Sequence, residues 1–258
     1  MEIKDSHILI TGANRGIGKA VAQICAEDKA HLHLTVRKEE PGLEKELMDL
    51  GAASVQVHQL DLSDRSAIDA FLKKYKKTDI DILFNNAGQL TGGLLETQSV
   101  DDIYQMLQVN VNALIHLTHG FLPAMLKRKK GKIINHSSAV ALMNFPTAST
   151  YAASKAAVLA FTNSLKVELR GTGVSTLVLV TPGVETRMFK EIPKIFGSKL
   201  DLGFLNSIPV KKYAQMVREA ILEDLDELKP SGLAGAGFLV AQHLPKVFEN
   251  VVNARFKR

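Results

Sequence analysis

Six short apolar runs alternate with longer stretches of helical period through the first two thirds of the chain, and this alternation constrains the fold more than any other feature. The runs are HILITG (7–12), HLHLTV (31–36), SVQVHQLD (54–61), DILFNNAG (81–88), KIINHSS (132–138) and STLVLVTPG (175–183), most of them ending in Gly, Asn, Asp or Ser. Helical patterns occupy 16–28, 43–50, 66–75, 101–126 and 151–170, with a further one at 210–225. Strand and helix in strict alternation call for parallel strands joined by crossover helices, a doubly wound α/β sheet. Ligands bind such sheets at the carboxyl ends of the strands. The residues that follow each run are therefore the candidates for chemistry.

TGANRGIG (11–18) follows the first run. Gly12, Gly16 and Gly18 let a backbone approach a pyrophosphate, whose charge then meets the amides of a helix N-terminus. A strand-to-helix turn also uses glycine for its own geometry. After the second run come Val36, Arg37 and Lys38, with no carboxylate before Glu39. A carboxylate there would accept from a ribose 2′-hydroxyl, whereas arginine accommodates a 2′-phosphate. Arg37, with Arg15 from the glycine loop, points to NADP(H); two solvated arginines are the alternative. Asp61 stands where it could meet an adenine amino group or cap the next helix, a task for which Ser63 and Asp64 are better placed. NNAG (85–88) adds two amides and a glycine.

Two polar side chains fall on apolar helix faces. Asn110 shares a stripe with Ile103, Leu107, Leu114, Leu117 and Phe121, and Lys155 shares one with Tyr151, Val158, Thr162, Leu165 and Leu169. A buried amide or ammonium needs partners. The bland readings are a core amide for Asn110, a snorkelling lysine for Lys155 and a strand end at Ser138. In YAASK (151–155), Tyr151 and Lys155 stand one helical turn apart on one face. The cation favours ionisation of the phenol, bringing its proton chemistry toward neutral pH.

Taken in order over about residues 5–186, TGANRGIG, NNAG, Ser138 thirteen residues before Tyr151, and YAASK resemble the short-chain dehydrogenase/reductase family. The resemblance implies a single domain (1–258) with a Rossmann-like doubly wound parallel β-sheet of seven strands, flanked by helices. It implies carbonyl/alcohol redox chemistry with a nicotinamide cofactor. Catalytic roles are carried onto Asn110, Ser138, Tyr151 and Lys155. Ser138 would hold the substrate oxygen, Tyr151 would protonate it, Lys155 would also bind the nicotinamide ribose, and Asn110 would support a water. The cofactor would be bound by Gly12, Asn14, Arg15, Gly16, Ile17 and Gly18 of the first loop, Arg37, and Asp61 with Leu62. Asn86, Ala87, Gly88, Tyr151, Lys155, Pro182, Gly183, Val184 and Thr186 complete the set. Thr186 lies one residue nearer Pro182 than is usual in the family, so the backbone of Val184 is the better contact to the nicotinamide carboxamide. His136 replaces a common aliphatic residue and receives no role; the remaining histidines, His116 and His119 among them, show no metal-binding pattern.

The segment at about 187–210 takes the place of the family's substrate-covering loop. Met188, Phe189, Ile192, Ile195, Phe196, Leu202, Phe204 and Leu205 either line a pocket for an apolar ketone or aldehyde or pack on the protein. The tail at about 231–258 is apolar and basic, fit to dock on the domain or a partner subunit, with a membrane-surface contact as the sharper alternative. Charge of +5 and the basic KRKKGK (127–132) come without interleaved aromatics, so a solvated helix end is preferred over a nucleic-acid site. A single cysteine, Cys25, excludes an intrachain disulfide, and with no signal-like N-terminus or membrane-length apolar run the expected location is the cytoplasm. Small faces at Ala113 and at Ala152, Ala153, Ala156, Ala157 and Ala160 suit a homodimer or homotetramer. The expected activity is reduction of a small-molecule ketone or aldehyde by NADPH, or the reverse. A catalytically silent NADP-binding regulator and a scaffold using its basic surface are the other classes.

Overall fold

The apolar runs form the strands of one parallel sheet in a computed structural model that describes residues 1–196, 207–230 and 232–258. In chain order the elements are β1 (His7–Thr11), α1 (Gly16–Glu27), β2 (His31–Val36), α2 (Leu43–Asp49), β3 (Ser54–Gln59), α3 (Arg65–Tyr75) and β4 (Ile82–Asn85). There follow α4 (Val100–Leu107), α5 (Ala113–Arg128), β5 (Gly131–Ser138), α6 (Ser149–Glu168), β6 (Val174–Thr181), β7 (Gly183–Val184) and α7 (Arg187–Phe196). The last are β8 (Ser207–Ile208), α8 (Val210–Leu222), β9 (Glu227–Leu228), α9 (Gly232–His243) and α10 (Pro245–Asn253).

Seven strands pair in parallel in the order β3-β2-β1-β4-β5-β6-β9. Strand order reverses between β1 and β4, and their carboxyl ends open the crevice where a doubly wound sheet takes its ligand. One face buries Ile8, Ile10, Leu32 and Leu34 against α1, α2 and α8, with Val21, Leu47 and Val217 among the partners. The other buries Leu9, Leu83 and Ile133 against α3, α5 and α6 through Phe71, Phe121 and Leu165. Strands covered on both sides read as apolar runs, which is why they were visible in the sequence.

Three local differences from the sequence reading have physical causes. The pattern at 101–126 is not one straight helix, because Gln108–Asn112 forms a π turn between α4 and α5. The wider turn shifts the buried phase, so that Met106 is fully buried while Ile103 and Leu107 are only half-buried. The cluster at 127–132 is only partly the solvated helix end expected: Lys127 and Lys129 are exposed, but Arg128 meets Asp79 at 2.7 Å, Lys130 meets Asp81 at 3.0 Å and buried Lys132 pairs with Asp224. The tail after β9 is helical, α9 and α10 laying Phe238, Ala241, Phe248 and Val252 on Met143 and Phe145. Cys25 is buried on α1, as its setting suggested. Among the described residues no helix is long and apolar enough to cross a membrane.

Candidate active site

The glycine loop is held open by backbone geometry and close contact. Gly12 and Gly16 have φ of +64° and +58°, the left-handed region that favours glycine. A Cβ on Gly12 would stand 3.1 Å from Cα of Ala87, and one on Gly18 2.6 Å from the carbonyl oxygen of Gly12. Arg15, the N-cap of α1, is extended and provides no side-chain cap, so its side chain leaves the first-turn amides unclaimed. Ile17 and Gly18 are buried beneath them. This cradle fits the pyrophosphate of a dinucleotide.

Asn86 braces the cradle. Its amide nitrogen donates to the carbonyls of Thr11 at 2.8 Å and Gly12 at 3.3 Å, and the Thr11 hydroxyl accepts from the backbone of Asn86 and Ala87. Asn85 turns the other way, into a buried chain with Thr118 and Asn135 that continues to Thr162. Both amides had been read as available; the side-chain amide groups of Asn86 are taken by the protein. Asp61 accepts from the backbone and hydroxyl of Ser63, beside Leu62, and Asp64 caps α3 through Ser66. Arg15 and Arg37 are exposed on the rim of the crevice, and Val36 is buried, so no carboxylate stands at the end of β2. Asn14 donates to Glu40 at 3.3 Å. Across the crevice Pro182 leads into β7, where Gly183 and Val184 pair with Ser207 and Ile208. The methyl group of Thr186 lies 3.5 Å from where a Cβ on Gly16 would be, and its hydroxyl accepts from Phe189 at the start of α7.

The four polar candidates converge where β5 meets α6. Ser138 ends β5, and the strand alternation sends Ser137 to the opposite side, where its hydroxyl binds the carbonyl of Lys155 at 2.7 Å. The Ser138 hydroxyl donates to the carbonyl of Thr181 at 3.5 Å and accepts from the backbone N–H of Val140 at 3.4 Å, and it lies near enough to the Tyr151 phenol to favour its ionisation. Lys155 is 4% exposed; its Nζ donates to the carbonyl of His136 at 2.8 Å and sits 5.8 Å from the centre of the Tyr151 ring. The snorkelling alternative therefore fails. Burial alone brings the ammonium down to about 8. Burial also pushes the Tyr151 phenol up to about 12. The lowering expected from Lys155 does not appear: burial raises the phenol, and the opposing influence comes from Ser138.

Asn110 lies in the π turn with 1% exposure. It accepts from the backbone N–H of Gln89 at 2.7 Å and donates to the carbonyl of Gln89 at 2.9 Å and to Ser154 at 3.0 Å. Ser154 in turn donates to the carbonyl of Tyr151. In YAASK this serine links α6 to Asn110 rather than merely filling space, a role without a signal in the spacing. Gly88 separates the groups: a Cβ there would meet Asn110 Oδ1 at 3.4 Å and Lys155 Nζ at 3.5 Å. His136, left without a role by sequence, donates from its ring Nδ1 to Asn86 Oδ1 at 3.2 Å, because the Asn86 nitrogen is already committed to two carbonyls. Burial and the nearby Lys155 hold its imidazole neutral, at about 3.

A dinucleotide cradle beside half-buried Ser138 and Tyr151 and buried Lys155 defines a nicotinamide-type oxidoreductase site. The short chain dehydrogenase family model matches residues 6–195. The chain belongs to the short-chain dehydrogenase/reductase family of oxidoreductases. It is 31% identical to an uncharacterized oxidoreductase of Staphylococcus saprophyticus, over 86% of this chain and 92% of that one. It is 30% identical to a 3-oxoacyl-[acyl-carrier-protein] reductase of Haemophilus influenzae, over 80% of this chain and 84% of that one. Among solved structures, a Burkholderia cenocepacia short chain dehydrogenase in complex with NADP superposes with a TM-score of 0.80 at 24% identity, covering 98% and 99% of the two chains. A metagenomic short-chain oxidoreductase in complex with NADP gives 0.73 at 28% identity, over 89% and 98%.

Proposed function

We propose that this protein is an NADP(H)-dependent oxidoreductase that reduces a ketone or aldehyde to an alcohol, or runs the reverse reaction, on an apolar small molecule. The observation that carries the proposal is the group of half-buried Ser138 and Tyr151 with buried Lys155 at the mouth of the glycine cradle. The cofactor, when bound, supplies hydride to the carbonyl carbon. Ser138 would donate to the carbonyl oxygen and hold it against Tyr151. A phenol raised to about 12 keeps its proton at neutral pH, so Tyr151 has one to give as the oxygen gains charge. The Lys155 ammonium would then stabilise the resulting phenolate and bind the nicotinamide ribose. Asn110 would act by fixing the Gln89 backbone and Ser154, and through them the position of α6.

Arg15 and Arg37 on the rim, with no carboxylate at the end of β2, support a 2′-phosphate over a free hydroxyl. The apolar character of the substrate is supported by Ile192 and Ile195 of α7, which, like Leu90, Val140 and Leu142, pack against the cluster around Met143 and Phe145 downstream of Ser138. Met188 and Phe189 are half-buried; the side chain of Phe196 and residues Leu202, Phe204 and Leu205 lie outside what is described. Exposed Ala153, Ala157 and Ala160 make a flat strip along α6 that supports assembly into a dimer or tetramer, which light scattering at micromolar concentration tests. The activity is tested by following NADPH absorbance against a panel of ketones and aldehydes. Cofactor binding without turnover of any of them would favour the silent regulator.

A further inference from the structure

Five of the fourteen exposed large apolar side chains among the described residues fall between 239 and 251: Leu239, Val240, Leu244, Val247 and Val251. Scattered exposed apolar residues are ordinary, but a contiguous group needs a partner. These five lie on α9, α10 and the Leu244 link between them, flanking the buried face of Phe238, Phe248 and Val252 on its solvent side. Val247 and Val251 are four residues apart, hence one above the other on α10. Leu244 and Leu239 are more than half exposed, at 55% and 54%. From residue 231 onward the cations are Lys246, Arg255, Lys257 and Arg258, and the only carboxylate side chain is Glu249. Arg258 reaches Glu96 at 3.1 Å, while Lys246 and Lys257 are exposed.

We propose that α9 and α10 dock on the surface of a bilayer containing anionic lipid, with Leu239, Leu244, Val247 and Val251 entering the headgroup boundary and Lys246 and Lys257 meeting the phosphates. An apolar helix face edged by lysine and arginine is the pattern that lies in the plane of such a surface. The charge decides between occupants. A second copy of this chain docked about a two-fold axis would bring one basic rim against the other. An anionic surface complements it. The buried side of the same helices rests on Met143 and Phe145, downstream of Ser138, and Phe248 meets Phe145 edge-on at 5.4 Å. Docking would therefore hold the substrate side of the site against the lipid, where an apolar carbonyl compound dissolves; this consequence rests on the proposed reductase activity, whereas the docking does not.

The test uses the full chain and vesicles of phosphatidylcholine, alone or with about 30% phosphatidylglycerol. The protein has no tryptophan, so Val251→Trp supplies a single reporter. The expected results are flotation with the anionic vesicles, a blue shift of the Val251→Trp emission, and weakening of both in high salt. Val247→Glu with Val251→Glu should abolish flotation, and Lys246→Glu with Lys257→Glu should weaken it about tenfold, each leaving NADPH binding in place. Absence of flotation overturns the proposal. Equal flotation on neutral vesicles overturns the anionic assignment. If the wild type ignores vesicles and the double glutamate variant turns an oligomer into a monomer, the face is a subunit interface and the proposal falls. Vesicle binding with no turnover would leave the docking standing and remove only the link to substrate.

Discussion

Lys155 donates from its ammonium to the main-chain carbonyl of His136 across 2.8 Å. The same histidine bonds through its ring to Asn86, which grips the Thr11 and Gly12 carbonyls. A continuous set of hydrogen bonds thus joins the ammonium to the glycine cradle. It explains how a lysine with 4% exposure keeps a fixed position, and why changes at Lys155 should be felt in cofactor binding as well as in proton transfer.

Tyr151→Phe should lower turnover by about a hundred- to ten-thousandfold, the usual loss on removing a general acid, while NADPH affinity stays near the wild-type value. Lys155→Ala should damage both. Titration of NADPH by fluorescence alongside turnover separates the two variants. Near wild-type turnover by Tyr151→Phe would remove Tyr151 from the reaction.

The pH profile of carbonyl reduction should fall on the alkaline side through about 8, where buried Lys155 gives up its proton. The sign follows from the role: the ammonium is the useful form, and it is present below that pH. The Tyr151 phenol, raised to about 12, does not titrate in this range. Lys155→Arg should be slower but flat between about pH 7 and 9.5, because arginine stays protonated. A falling limb that persists unchanged in Lys155→Arg would assign it to another group.

Arg37→Asp should reverse the cofactor preference from NADPH to NADH. The 2′-phosphate loses a charge-assisted partner and meets a like charge, while a 2′-hydroxyl gains an acceptor. Dissociation constants for both cofactors, measured on wild type and variant, check this. Equal affinity of the wild type for the two would sink the reading of β2.

Much of this was legible because the relevant signals are local. Each of β1 to β4 lies inside an apolar run and β5 and β6 start one residue before theirs, and the candidate residues follow the strands because the fold puts its ligand there. What escaped depended on distant partners or on single extra residues. The π turn at Gln108–Asn112 leaves no trace in composition, yet it exchanges Met106 for Ile103 and Leu107 in the core. Strand β9 spans only Glu227–Leu228, too short for any period to appear. His136 and Ser154 looked like ordinary strand and helix residues. Their roles exist only through Asn86 and Asn110, fifty and forty-four positions away.

The last prediction concerns histidines that sequence left as isolated residues and the sheet brings together. His7 and His31 are paired neighbours on β1 and β2 with rings stacked at 4.4 Å, and His7 Nδ1 lies 3.1 Å from His33 Nε2. His58 on β3 stacks toward His33 at 6.3 Å and meets Phe71 and Tyr75 of α3, with Lys74 adding a positive charge nearby. Asp79, Asp81 and Arg128 surround the His7 end. Burial, then the other histidines, holds His33 down to about 4 from its ordinary 6.5, and His7 and His58 are lowered as well. Between those pH values the unfolded chain binds a proton that folded His33 refuses. Stability is therefore complete above about 6.5 and is lost as the pH falls toward 4. His33→Gln keeps a polar partner for His7 but cannot titrate. Melting temperatures at pH 7.5 and 4.5 should accordingly drop less in His33→Gln than in the wild type, whatever the variant's absolute stability. Equal drops would show that acid acts through the carboxylates alone and that the histidine row is a passive part of the core.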